Sequence, residues 1–109
     1  MMSPPYEPPY YAVIFPNQRT DQDDEGYSAM AKRMVDLAQT MPGFLGMDSA
    51  RDSHGFAITV SYWQTLDAIA AWRDHPEHLQ AQALGRSKWY AAFDLHIAKV
   101  ERSYRFRKP

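Results

Sequence analysis

Apolar residues along this chain alternate between two spacings, and each spacing predicts an element. Residues 10–15 read Y-Y-A-V-I-F, a run of β-formers that predicts a first strand, with Pro16 and Asn17 closing it. From Asp24 to Met41 the apolar positions are Tyr27, Met30, Ala31, Met34, Leu37, Ala38 and Met41, which trace one face of a helix. Lys32, Arg33, Asp36 and Gln39 take the solvent side. Asp21, Asp23, Asp24 and Glu25 lie before or in the first turn, where the helix dipole favours negative charge, and Pro42-Gly43 stops the helix.

Residues 44–51 predict a second strand and residues 56–63, F-A-I-T-V-S-Y-W, a third. In the third strand Phe56, Ile58, Val60 and Tyr62 share one face, and Ala57, Thr59, Ser61 and Trp63 the other. The turn Asp52-Ser53-His54-Gly55 makes the two strands a hairpin. Thr65 is placed to cap a second helix, which Pro76 interrupts and Gly85 ends near Leu84. Residues 91–106 predict a long last strand. Its apolar phase changes from Phe93, Leu95 and Ile97 to Ala98, Val100, Tyr104 and Phe106, which implies a bulge or a change of neighbour. The second half is expected to reach towards another subunit.

The order is therefore β-α-β-β-α-β, an α+β chain of the ferredoxin-like type, with both helices on one face of an antiparallel sheet. The opposite face also carries apolar side chains. A second copy is its simplest cover, giving a homodimeric α+β barrel.

At 109 residues the chain is expected to hold one domain, over residues 10–106. Residues 1–9 contain four of the eight prolines and read as a flexible arm, and residues 107–109 as a basic tail. Net charge is −1 with the signs interspersed, which argues against a nucleic-acid partner. The cluster Arg102, Arg105, Arg107 and Lys108 reads as solvated. No cysteine is present, so disulfides, thiolate metal sites and cysteine nucleophiles are excluded. Met1 to Pro5 lacks the pattern of a signal peptide, and no apolar run reaches membrane-spanning length. These features predict a cytoplasmic protein without a membrane partner.

The chemistry concentrates between Trp63 and Tyr90. Trp72, His75 and His78 lie around the helix break, and Arg86, Trp89 and Tyr90 follow Gly85. Rings, imidazoles and a guanidinium suit a pocket for a flat organic molecule. His75 and His78 are candidate proton acceptors, because a neutral imidazole titrates near working pH; helix capping is their structural alternative. They do not predict a metal site, since Pro76 separates them and no third ligand is evident. Trp72, Trp89 and Tyr90 are candidate ring contacts, with core packing as the alternative. Arg86 is a candidate anion holder, with an ion pair as its alternative. His54 falls in a turn, and His96 lies on the last strand in phase with Asp94 and Ala98.

Five segments carry a family resemblance: P-G-F-L-G-M-D-S at 42–49, I-T-V-S-Y-W at 58–63, A-A-W-R-D-H-P-E-H at 70–78, G-R-S-K-W-Y at 85–90 and A-K-V-E-R-S-Y at 98–104. The chain resembles the antibiotic biosynthesis monooxygenase superfamily of dimeric α+β barrels over roughly residues 10–106. Within it, the chain is similar to a bacterial subgroup of small uncharacterised proteins. For the monooxygenases, the resemblance implies oxidation of an aromatic or quinol-like substrate by O₂ with no cofactor: the substrate is deprotonated, its carbanion passes an electron to O₂, and oxygen adds at carbon. The haem-degrading branch uses a helical histidine after a tryptophan. Trp72 matches that tryptophan, but the histidine position falls near Gln82, a poor iron ligand. The expectation is thus a cofactor-free monooxygenase, with His75 and His78 catalytic and Trp72, Arg86, Trp89 and Tyr90 binding substrate. The alternatives are a non-catalytic binding or stress-response module for a hydrophobic metabolite, and a haem-binding or haem-degrading protein.

Overall fold

The computed structural model describes residues 6–109. Its elements are β1 (Tyr10–Arg19), α1 (Asp24–Ala38), β2 (Phe44–Arg51), β3 (Phe56–Trp63), α2 (Leu66–Arg73), α3 (Pro76–Leu84), β4 (Tyr90–Phe93) and β5 (His96–Val100), with a π-helical turn at Gly85–Trp89 between α3 and β4. The strands form one antiparallel sheet in the order β2-β3-β1-β4, with β5 continuing beside β1. This is the ferredoxin-like α+β arrangement. Among the described residues no helix is long and apolar enough to cross a membrane.

Local chemistry explains the element ends. Asp23 caps α1 by accepting the Gly26 N–H, and Thr65 caps α2 by accepting the Ala68 N–H at 3.0 Å. The predicted second helix is two helices. Asp74 closes α2, and Pro76 opens α3 in the first turn, where its missing N–H leaves no bond unmade. Gly55 turns the hairpin at φ 86, a conformation that disfavours any side chain.

Three expectations are corrected. Pro16 and Asn17 do not end the first strand, which runs on to Arg19. A proline is tolerated in this central strand because its missing donor falls where pairing is interrupted. The Pro16 carbonyl accepts the Asp94 N–H at 3.0 Å, the reciprocal bond has no donor, and β4 gives way to β5 there. The long last strand is thus two segments, and it stops at Val100. Residues 101–109 have no regular secondary structure, and Tyr104 and Phe106 are exposed. Its change of apolar phase is not a bulge. β4 and β5 keep one register against β1 from Ala92 to Val100, and the shift lies at Gln18/Arg19. Gly85 closes α3 after Leu84, as expected. Its φ is −57, and a Cβ there would come within 2.9 Å of the Tyr90 ring.

The two sheet faces differ. Tyr11, Val13, Phe15 and Asn17 of β1 share a face with Trp63, Ser61, Thr59 and Ala57 of β3, and the helices cover this side, where Ala57 and Trp63 are buried. The more apolar row of β3 points the other way, and Phe56 and Ile58 are 42% and 45% exposed. On that open face Tyr6, in the part of the arm described, packs edge-on against Tyr10 at 5.8 Å, and Tyr10 against Tyr62 at 6.0 Å. The Tyr6 hydroxyl donates to the Leu45 carbonyl. Burial and a hydrogen bond to Asp48 push the Tyr62 phenol up to about 12. The expected flexibility of the arm concerns residues 1–5 as well, which lie outside the described residues.

Candidate functional site

The helix-facing side of the sheet carries two clusters. The first is built on Trp63, the last residue of β3. Trp63 is fully buried, and its indole N–H donates to the Ser61 hydroxyl at 2.9 Å. Trp72, on the last turn of α2, stacks on it with centroids 6.2 Å apart. His78, on the first turn of α3, stacks on Trp72 as well, at 4.4 Å with planes 22° apart. The break at Pro76 makes this possible, because two short helices can each turn a ring into one column.

His78 is held by its neighbours. Gln82, one turn on, places its amide nitrogen 3.0 Å from His78 Nδ1 and donates to the Arg73 carbonyl at 2.8 Å. Burial lowers the pKa of His78 below the usual 6.5; bonds to the Arg73 and Trp72 backbone oppose the shift, and the nearby His75 adds to it. At neutral pH the imidazole is therefore uncharged, with its Nδ1 facing the Gln82 amide N–H. His75 lies 6.1 Å from Trp72, with its Nδ1 engaged in accepting the Glu77 N–H at 3.1 Å as the cap of α3.

The second cluster lies at the other end. Trp63 pairs with Tyr11 and Tyr90 with Arg19, eight positions along β1, or about 26 Å of extended strand. Trp89 is buried, packs edge-on against Tyr27 at 5.7 Å and donates its indole N–H to Asp23 at 3.3 Å. That bond, with Lys88 and the Gly26 N–H, holds the Asp23 carboxyl below its usual range. Tyr90 contacts the rings of Phe15, Tyr27 and Phe93. Burial, then its bond to Tyr27, keeps its phenol protonated far above the ordinary range. Arg86 is exposed and lies over Phe93 at 5.7 Å.

The structure thus gathers Trp72, His75 and His78 at one end and Trp89 and Tyr90 at the other, with Arg86 on the surface. His54 is exposed in its turn, and His96, opposite Ile14, is on the open face. Among the described residues no three His, Cys, Asp or Glu side chains converge as a metal site. Gln82, at the position where the haem-degrading resemblance needs an axial histidine, is bonded to His78 and Arg73. Reading the sequence missed the role of Gln82, although its spacing of four from His78 carried the signal. It also missed Asn17, Tyr27 and Arg51, which converge from three separate elements.

With this architecture in view, the sequence model for antibiotic biosynthesis monooxygenase (ABM) matches residues 9–84. The chain belongs to the ABM family. It is 50% identical over 102 residues to the uncharacterised protein YqjZ of Bacillus subtilis, a match covering 94% of this chain and 89% of that protein. Among solved structures, it is similar to SnoaB, a cofactor-independent oxygenase from Streptomyces nogalater, with a TM-score of 0.75, 11% identity, and coverage of 88% of this chain and 97% of that one. It is also similar to Rv0793 from Mycobacterium tuberculosis, with a TM-score of 0.74, 14% identity, and coverage of 87% and 99%. At these identities the likeness to both structures is one of fold. The ABM fold here places its helices over a sheet face on which Val13, Phe15, Thr59 and Ser61 are only half-buried, so the helix layer leaves that floor partly accessible.

Proposed function

We propose that this chain is a cofactor-free ABM-type monooxygenase that oxidises a small aromatic or quinol-like molecule with O₂. The observation that carries the reading is the column Trp63–Trp72–His78, in which a neutral imidazole lies against an indole beside a partly accessible floor. Trp72, only half-buried, offers the uncovered part of its indole to a substrate ring, and His78 accepts the proton removed from it. The resulting carbanion passes an electron to O₂, and the radical pair combines at carbon. Loss of water from the hydroperoxide then converts a ring CH₂ to C=O, with one oxygen atom in the product and one in water. His75 supports the site by capping α3, and Trp89 and Tyr90 close the far end of the same layer. We further propose a cytoplasmic homodimer, in which a second copy covers the open face carrying Phe56 and Ile58.

An oxygen electrode with a panel of hydroquinones and anthrones tests the reaction. O₂ uptake is expected with the wild-type protein, falling by about 10² or more in His78→Ala, the scale of a lost general base. No uptake above background with any member of the panel, or full uptake by His78→Ala, sinks the reading. Sedimentation at micromolar concentration tests the dimer. The wild type is expected at twice the monomer mass and Ile58→Glu at the monomer mass; a monomeric wild type removes the pairing.

A further inference from the structure

The polar residues of the helix-facing floor end in a guanidinium that has no carboxylate. Arg51, the last residue of β2, donates to the Gly55 carbonyl at 2.6 Å, the Asn17 side-chain oxygen at 3.1 Å and the Tyr27 hydroxyl at 2.7 Å. Among the described residues, Arg19, Arg33 and Arg73 each pair with an acid, whereas Arg51 pairs with none. The adjacent Asp52 forms no ion pair with it: one carboxylate oxygen accepts the Phe56 and His54 N–H groups of the hairpin, and these bonds are the main cause that holds the carboxyl below its usual range, with Arg51 only a minor electrostatic contributor.

Asn17 explains why the guanidinium stays in place. It is 1% exposed, its amide nitrogen is tied to the Phe15 carbonyl at 3.1 Å, and its oxygen is thereby aimed at Arg51. Burying a fixed amide to orient an exposed arginine is a costly arrangement if the arginine only decorates the surface. Tyr27 adds a second donor. Its oxygen accepts from Arg51 and, at 3.4 Å, from Tyr90, so its own O–H is left without an acceptor among the described residues. Arg19 lies over the Tyr27 ring at 4.0 Å, already neutralised by Asp24. The Ser49 and Thr59 hydroxyls, bonded to each other at 2.9 Å, occupy the next position along the same face of β2 and β3. A cation with N–H donors still unspent on Nε and Nη1, a phenolic O–H and flanking rings form a receptor for an oxyanion on a flat molecule.

We propose that Arg51, held by Asn17 and joined by Tyr27, is an anion-binding subsite that takes the carboxylate or phenolate of an aromatic ligand. The subsite lies at the Trp89–Tyr90 end of the sheet, six positions along β1 from the partner of Trp63, so it is a second site that goes beyond the oxygenase reading and does not rest on it. Calorimetric titration with 2-naphthoate and its uncharged counterpart 2-naphthamide tests it on the full chain at pH 7.5. The wild type is expected to prefer the carboxylate by at least about tenfold, the scale of one charge-assisted hydrogen bond. Arg51→Gln is expected to erase that preference, Arg51→Lys to retain part of it, and Arg33→Gln, at the pair with Glu77, to leave it intact. Equal binding of the two probes by the wild type overturns the proposal, as does a preference that survives in folded Arg51→Gln. If Arg51→Gln does not fold, the wild-type preference and its reduction in Arg51→Lys decide the matter. Because no O₂ is consumed in this titration, the subsite can fail while hydroquinone oxidation succeeds, and the reverse.

Discussion

The imidazole of His78 lies over the indole of Trp72, with ring centres 4.4 Å apart and planes 22° from parallel. Packing of this kind removes water from the imidazole and lowers its pKa below 6.5. The unfolded chain then binds more protons than the folded one as pH drops below that value. The stabilisation is present above about pH 6.5 and is lost as pH falls through the folded value. Melting temperature is therefore expected to be higher at pH 7.5 than at pH 5.5, with a smaller difference in His78→Gln. An unchanged difference would show that His78 does not carry the pH dependence.

Beneath that pair lies Trp63, with no exposed surface and with Phe44 edge-on at 5.1 Å. Removing its indole leaves a cavity between β3 and α2. Trp63→Ala is expected to cost about 3–5 kcal/mol in urea unfolding, against a total of about 5–15 kcal/mol for an ordinary domain. Trp63→Phe is expected to cost clearly less, since it keeps a ring against Trp72. Equal midpoints for Trp63→Ala and the wild type would contradict the assigned burial.

The strands β2 and β3 and the start of each helix were legible because their signals are local. Alternation, a Gly-containing turn and capping residues act within a few positions. Trp72, His75 and His78 are three residues apart on either side of one helix break, so their proximity could be read from the sequence. Pro16 misled because its usual effect depends on which neighbour its missing donor faces, which is a property of the sheet. Asn17, Tyr27 and Arg51 come from β1, α1 and β2, and no spacing in the chain announces that they meet. The changing phase of the last strand was visible, but its cause was not. Phe93, Leu95 and Ile97 follow the helix-facing row, while His96, Ala98 and Val100 follow the open one.

Gly85 sits where the π-helical turn folds Tyr90 back on the end of α3. A Cβ at this position would lie 2.9 Å and 3.0 Å from two carbons of the Tyr90 ring, closer than van der Waals contact allows. Because φ is −57, backbone strain plays no part. Gly85→Ala is thus expected to displace the ring and destabilise by about 1–3 kcal/mol, as overpacking does. In Gly85→Ala/Tyr90→Ala the added cost of the alanine at 85 should vanish. A double-mutant cycle from urea midpoints measures this, and additive losses would place the clash elsewhere.

His75 provides the last separation, between holding the site and acting in it. Its Nδ1 accepts the Glu77 N–H at the start of α3, the helix that carries His78 and Gln82. Asparagine can supply the same acceptor and alanine cannot. If His75 works as a cap, His75→Ala is expected to lose about 1 kcal/mol of stability and His75→Asn only a few tenths. Oxidation rates should follow the same order, with His75→Asn close to the wild type, because the column on Trp72 is preserved whenever α3 is properly started. If His75 takes the substrate proton itself, both variants lose activity alike, while only His75→Ala loses stability. Unfolding and O₂ uptake measured on the same two variants therefore assign the proton acceptor between the two histidines.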